Sequence, residues 1–259
     1  MKPVLETNTG KLYQGECLEW LLTLPDESVD AVITDPPYSS GGQFRSDRVQ
    51  APVEKYVQTG TIISRSDFSG DNRDQRGFLI WSTLWLSQCY RVVKNGGIVC
   101  LFTDWRQLPV TTDILQAAGF VWRGIGVWDK TEAARPSKGR FRNQCEFVAW
   151  GTRGLAPKEG ECLPGVWRKA VNAKYKYHVT GKPTEIMEEV SKIVPAGGVV
   201  IDPFMGSGTT AIACERLGLK WLGIELNPEY CEIAKERILH NGYRVVKTEN
   251  QLELLQSLN

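Results

Sequence analysis

One segment constrains the fold of this chain more than any other: Val199-Val200-Ile201-Asp202-Pro203-Phe204-Met205-Gly206-Ser207-Gly208-Thr209-Thr210-Ala211. An apolar run ends at an acid and a proline, passes through Gly206-x-Gly208-x-x-Ala211, and opens into a helical pattern. Glycines there let the backbone turn tightly and approach a ligand. Glu225 ends the next apolar run, nineteen residues after Gly206, where an acid meets ribose hydroxyls in nucleotide-binding α/β folds. A bare structural turn would not require Glu225, so the combination predicts an adenosine-containing ligand. No lysine precedes the Ser or Thr, as a phosphate-binding loop of the Walker type would need. A dinucleotide would set its pyrophosphate on the helix N-terminus, where Asp202 would repel it. The same acid suits a positively charged amino group. That points to S-adenosyl-L-methionine, which has an ammonium, a carboxylate and a ribose but no phosphate.

The rest of the chain alternates short apolar runs with helical patterns, the sequence form of a mostly parallel α/β sheet with helices on both faces. Strands are expected over Lys11–Gly15, Val29–Thr34, Gly97–Thr103, Val121–Trp128, Cys145–Trp150, Val199–Asp202 and Trp221–Glu225. Helices are expected over Leu18–Leu24, Phe78–Val93, Leu108–Ala118, Thr184–Ile193, Thr209–Leu217 and Pro228–Leu239. Gly96-Gly97, Gly119 and Gly197-Gly198 suit helix C-caps that feed the next strand. A length of 259 residues fits one large domain. No apolar run reaches the length of a membrane span and the first residues do not read as a signal peptide, so the expected location is the cytoplasm. Seven cysteines form no Cys-x-x-Cys pair and several sit in apolar runs, which reads as buried free thiols rather than zinc ligands or disulfides.

The strand Val29–Thr34 runs into Asp35-Pro36-Pro37-Tyr38. Each proline locks its own φ, removes a donor and holds the residue before it extended. A turn would explain the prolines alone. A rigid segment that presents a carboxylate, a carbonyl and an aromatic face would explain all four residues.

Asp35-Pro36-Pro37-Tyr38 taken with Asp202-Pro203-Phe204-Met205-Gly206-Ser207-Gly208-Thr209-Thr210 resembles the amino DNA methyltransferases. The order, catalytic motif first and cofactor loop last, resembles their β class. Gly15-Glu16-Cys17, Leu24 to Asp30, Thr180 to Glu185 and Gly223 to Tyr230 also match motifs of that class. The resemblance implies a Rossmann-like methyltransferase fold with this permuted motif order, and S-adenosyl-L-methionine as cofactor. It implies catalysis by Asp35, Pro36, Pro37 and Tyr38, without a covalent enzyme intermediate. The amine of a flipped-out base would donate to the Asp35 carboxylate and the Pro36 carbonyl while Tyr38 stacks on its face. By the same carry-over Asp35, Asp202, Phe204, Met205, Gly206, Ser207, Gly208, Thr209, Thr210 and Glu225 line the cofactor pocket. Glu16, where the family usually has Asp, and Cys17 flank its adenine, and Lys182 meets its carboxylate. Asp at the first motif position is typical of adenine-N6 enzymes. The alternatives are a cytosine-N4 enzyme, an RNA or protein acceptor, a non-catalytic DNA-binding module and a dinucleotide oxidoreductase.

Double-stranded DNA is the expected partner, with no membrane and no metal; oligomeric state stays open between monomer and homodimer. Net charge is only +1, but residues 130–182 hold twelve Lys or Arg against four Glu. Such asymmetry suits a polyanion-binding surface. Arg140, Arg142, Lys174 and Lys176 are the expected DNA contacts, with Tyr175 and Tyr177 interleaved. Two segments break the α/β alternation: residues 39–77, expected as an inserted lid or DNA-contact loop, and residues 151–179, expected as a small basic target-recognition segment. The latter is short, which predicts a short or relaxed recognition sequence. Trp81 and Trp85, at helical spacing, are expected in the core, and the two histidines carry no catalytic role.

Overall fold

The computed structural model describes residues 1–38, 73–134, 136, 138–156, 160–170 and 182–240. In chain order these form β1 (Leu5–Glu6), β2 (Gly10–Gln14), α1 (Cys17–Thr23), β3 (Val29–Thr34), α2 (Gln75–Val92), β4 (Val93–Thr103), α3 (Leu108–Ala117), β5 (Val121–Asp129), β6 (Cys145–Thr152), β7 (Val166–Arg168), α4 (Thr184–Ser191), β8 (Val199–Asp202), α5 (Thr209–Leu217), β9 (Lys220–Glu225) and α6 (Pro228–Leu239).

The strands make one sheet in the order β1-β2-β9-β8-β3-β4-β6-β5-β7. From β2 through β9, β8 and β3 to β4 every pairing is parallel, whereas β6 runs against both β4 and β5. A sheet covered on both faces needs strands apolar on both sides. β3 shows it: Ala31 and Ile33 pack with α4, α5 and α6, and Val32 packs with α1, α2 and α3. Fully burying a side chain such as Leu12, Leu21 or Ile33 contributes about 1.5–3 kcal/mol.

Strand order reverses between β3 and β8. From β3 the chain crosses through α2 to β4 on one side, and from β8 through α5 to β9 on the other. The crevice beyond the carboxyl ends of such a strand pair is where α/β sheets bind ligands. Asp35 follows β3 and Asp202 ends β8, so both motifs open into it.

The structure shifts several expected boundaries. Helix α2 starts at Gln75 rather than Phe78 because the Asp74 side chain accepts from the Gly77 N–H at 2.8 Å and caps it. It also takes the end of the expected 39–77 insertion. The strand expected from Gly97 starts at Val93 instead, so Gly96 lies inside β4 rather than at a helix cap, turning with φ +81° and donating to the Arg153 carbonyl at 2.7 Å. Gly119 (φ +106°) does follow the cap of α3, whereas α4 ends at Ser191 with Lys192 as its cap, and Gly197 (φ +70°) lies in a separate turn ahead of β8 that the Gly198 N–H closes onto the Pro195 carbonyl. Gly151 and Thr152 of the expected recognition segment lie in β6, and its residues 166–168 form β7 against β5. Neither β7 nor β1 has a sequence signal, since β7 is exposed or half-buried and β1 has only two residues. All seven cysteines are free, and Cys17, Cys89, Cys100, Cys214 and Cys231 are buried. No helix among the described residues is long and apolar enough to cross a membrane.

Candidate active site

Asp35 leaves β3 with both carboxylate oxygens engaged. The Tyr38 hydroxyl donates to Oδ1 at 2.6 Å and the Lys182 ammonium to Oδ2 at 2.7 Å. Lys182, with 3% of its side chain exposed, lies 3.2 Å from Oε2 of Glu146, and Lys130 meets Oε1 of Glu146 at 3.2 Å. The rings of Tyr38 and Phe102 flank the Lys182 ammonium at 5.1 and 5.5 Å. Burial pushes the Asp35 carboxyl up, against the opposing pull of Lys182 and the bonds from Lys182 and Tyr38. Burial would lower Lys182, but Asp35 and Glu146 outweigh it and hold the ammonium above its ordinary range. Burial likewise disfavours charge on Glu146, yet Lys182 and Lys130 bring its carboxyl below the usual range. The Tyr38 hydroxyl is pushed well up by burial and by Asp35. A carboxylate offers about four acceptor positions. Two on Asp35 are used here, so a donor entering the crevice finds others.

Lys182 was expected on the methionine carboxylate; the structure places it on Asp35 and Glu146. Asp202 likewise turns inward. Only 2% exposed, it accepts from the Thr34 hydroxyl (2.6 Å), the Thr210 hydroxyl (2.5 Å) and the Phe204 N–H (2.9 Å). Burial raises its carboxyl from 3.8 to about 6 despite these bonds. Asp202 therefore braces the glycine loop from behind.

The loop itself is braced from three sides. Gly206 and Gly208 adopt φ +53° and +83°. The Gly206 N–H donates to Oε2 of Glu225 and the Asn227 N–H to Oε1, each at 2.8 Å, while Met205 N–H bonds the Ile224 carbonyl at 3.0 Å. Buried Arg237 of α6 donates to the Ser207 carbonyl, to Ser207 Oγ at 2.7 Å and to Thr209 Oγ1 at 3.3 Å. Phe204 packs on Trp81 and Trp85 of α2, with ring centroids 5.5 and 5.0 Å apart. Trp85 is buried and Trp81 packs beside it, the core role expected for both. Glu16 caps α1, its Oε2 accepting from Leu18 and Glu19 N–H at 2.7 and 3.0 Å, and the Cys17 thiol points to its Oε1 at 3.2 Å.

Much of the expected basic charge is paired within the protein, partly at its surface, where the Arg168 and Lys169 side chains stay 60% and 45% exposed. Lys130 and Lys182 sit in the buried cluster, Arg153 binds Glu27 and the carbonyls of Arg91 and Val93, Arg168 binds Asp129 and Glu132, and Lys169 binds Glu185. Arg142 donates to the carbonyls of Glu132 and Ala134 and so ties its own loop together. Lys138, Arg140 and Phe141 of that loop are exposed. Because β5 ends and β6 begins at the edge where β3 and β4 end, the loop stands on the same side as Asp35. Lys174, Lys176, Tyr175 and Tyr177 lie outside the described residues, as do residues 39–72 of the expected lid.

Four site residues escaped the sequence analysis: Thr34, Lys130, Glu146 and Arg237. A signal existed for Arg237 alone, since it interrupts the buried stripe Tyr230, Ala234, Ile238 at helical spacing. The others become visible only when distant strands meet.

A family model described as DNA methylase, covering N6 and N4 enzymes, matches residues 29–158 and 154–236. The type II methyltransferase M.BamHI of Bacillus amyloliquefaciens is 29% identical over 273 residues, spanning 92% of this chain and 59% of that protein. M.HinfI of Haemophilus influenzae is 26% identical over 289 residues, spanning 98% of this chain and 74% of its own length. Among solved structures, the M1.HpyAVI–SAM complex aligns with a TM-score of 0.64 at 25% identity, over 88% of this chain and 98% of that one. The PvuII DNA methyltransferase, cytosine-N4-specific, aligns with 0.69 at 20% identity, over 93% and 94%, a likeness of fold. With the family match running through both the Asp35 strand and the glycine loop, the chain belongs to the N6/N4 DNA methylase family.

Proposed function

We propose that this protein transfers a methyl group from S-adenosyl-L-methionine to the N6 amine of an adenine flipped out of double-stranded DNA. The observation that carries the reading is the placement of Asp35 and Pro36 at the carboxyl end of β3, beside β8 and its glycine loop. The site suits the cofactor: each Glu225 oxygen holds one backbone N–H and keeps an acceptor position for a ribose hydroxyl. Gly206, Gly208 and Phe204 would border the cofactor, with Glu16 and Cys17 toward its adenine. Bound there, the cofactor supplies an electrophilic methyl on a sulfonium.

The protein's own part is positioning and charge stabilisation. An exocyclic amine is a weak nucleophile because its lone pair is delocalised into the ring. Donation of its two N–H groups to Asp35 and to the Pro36 carbonyl turns that lone pair toward the methyl, and the carboxylate stabilises the positive charge that develops on nitrogen. Pro36 and Pro37 hold both acceptors in one geometry. Tyr38, fixed by its bond to Asp35, offers its ring to the base. Arg140 and Lys138, exposed on the loop between β5 and β6, would meet the DNA backbone, and residues 39–77 and 151–179 would complete the DNA contacts around a short recognition sequence.

Labelled methyl transfer to unmethylated DNA, followed by nucleoside analysis, tests the reading. N6-methyladenine is expected; N4-methylcytosine, or no DNA product, would overturn it. A recognition site of six or more specified base pairs would contradict the short-site reading.

A further inference from the structure

Glu146, with 19% of its side chain exposed, packs against buried Lys182, and the methyl-transfer chemistry proposed for Asp35 gives it no part. Asp35 after β3, Lys130 after β5, Glu146 in β6 and Lys182 ahead of α4 bring two carboxylates and two ammonium groups together. Lys182 is shared between Asp35 at 2.7 Å and Glu146 at 3.2 Å. One carboxylate would already neutralise one buried ammonium, and a second like charge nearby raises the proton affinity of the first.

Resting on the role proposed for Asp35, we infer that Glu146 is a positioning residue for methyl transfer: by drawing Lys182 partly toward itself, it keeps Asp35 a strong acceptor for the target amine. The nitrogen lone pair forms the new N–C bond as the C–S bond breaks, leaving its electron pair on sulfur. The proton then shed by nitrogen passes to an Asp35 oxygen and on to water, which restores the carboxylate. While Asp35 is neutral, Lys182 keeps Glu146 as its counter-ion. Among the described residues, the other titratable groups near Asp35 are Tyr38 on its own segment, Asp202 at the end of β8, and Asp104 beyond β4, whose charge acts on Tyr38.

The pH dependence of single-turnover methyl transfer, at saturating DNA and cofactor, tests this with Glu146→Gln and Lys130→Met. Without Glu146 the whole ammonium falls on Asp35, so the acid limb of the profile moves down by about one pH unit. The plateau rate falls about tenfold, the equivalent of that unit, with cofactor affinity unchanged, and Glu146→Asp restores most of the rate. Lys130→Met strengthens the pull of Glu146 on Lys182 and moves the acid limb up. Because Lys130 stands at the edge of the cluster, its variant tests the inference even if Glu146→Gln does not fold. Limbs that coincide with the wild type, or that move in the same direction, overturn the inference, as does a Glu146→Gln loss of cofactor affinity in step with rate. A wild type that methylates DNA while the limbs stay put sinks this inference alone; a wild type that methylates no DNA sinks the proposed function and this inference with it.

Discussion

Thr34 donates its hydroxyl to Oδ1 of Asp202 at 2.6 Å, joining the last residue of β3 to the last residue of β8. This bond crosses the point where strand order reverses, and it ties the base of the Asp-Pro-Pro-Tyr segment to the base of the glycine loop. Both ends are buried. Thr34→Val keeps the shape and removes the donor, leaving a carboxylate oxygen short of one partner. The expected cost is about 1–3 kcal/mol in urea unfolding, with slower methyl transfer as the two motifs lose their common anchor. Unchanged stability would contradict the bracing role.

Asp202 itself makes stability depend on pH. Its carboxyl is raised from 3.8 to about 6 in the folded protein, chiefly by burial. Between those values the folded protein holds a proton that the unfolded chain has lost, so the contribution of Asp202 to stability falls as pH rises through the window and is level above it. A shift of about two units corresponds to roughly 3 kcal/mol. Asp202→Asn, which does not titrate, should lack that fall. Unfolding free energies of both proteins at pH 4, 5, 6 and 7 check it; parallel curves would contradict it.

The elements that carry these predictions were legible to different degrees. β3, β8 and α5 end where periodicity and glycine placed them, because a strand buried on both faces reads as an unbroken apolar run and a glycine loop marks the next helix start. α2 began early because the Asp74 cap is a local hydrogen bond that apolar spacing does not report. The positions of Asp35, Gly206 and Glu225 at the strand ends and the glycine loop were readable, but their partnerships were not. The family resemblance set Lys182 toward the cofactor's carboxylate; its place against Glu146 depends on β6 running antiparallel beside β4, which no local pattern encodes. The basic excess of residues 130–182 likewise hid ion pairs with distant acids such as Glu27 and Glu185.

Gly208 adopts φ +83°, and a Cβ there would stand 3.2 Å from that of Ala234 on α6. Gly208→Ala therefore adds backbone strain of about 1–2 kcal/mol and presses α5 away from α6. The loop should loosen and calorimetry should find S-adenosylmethionine binding weakened about tenfold, the equivalent of the lower half of that strain. Wild-type affinity would mean that the loop conformation is not needed for the cofactor.

Arg140 and Arg142 stand two residues apart in one loop but should behave differently. Arg140 is exposed, whereas Arg142 holds the carbonyls of Glu132 and Ala134. Arg140→Ala should lower the slope of log affinity for DNA against log salt by about one, the signature of a lost phosphate contact. Arg142→Ala should weaken DNA binding by loosening the loop, with a smaller change in slope. Equal slopes in wild type and Arg140→Ala would remove Arg140 from the DNA surface.

In the proposed reaction Asp35 acts chiefly on the target amine, and the glycine loop supplies most of the hold on the cofactor. Rapid-quench measurement of methyl transfer by Asp35→Ala, alongside calorimetry of S-adenosylmethionine binding, tests it most directly. The expected rate is lower by about 10²- to 10³-fold, the scale of losing an oriented charge-stabilising group, with cofactor affinity nearly intact. Loss of both in equal measure, or transfer near the wild-type rate, would contradict it.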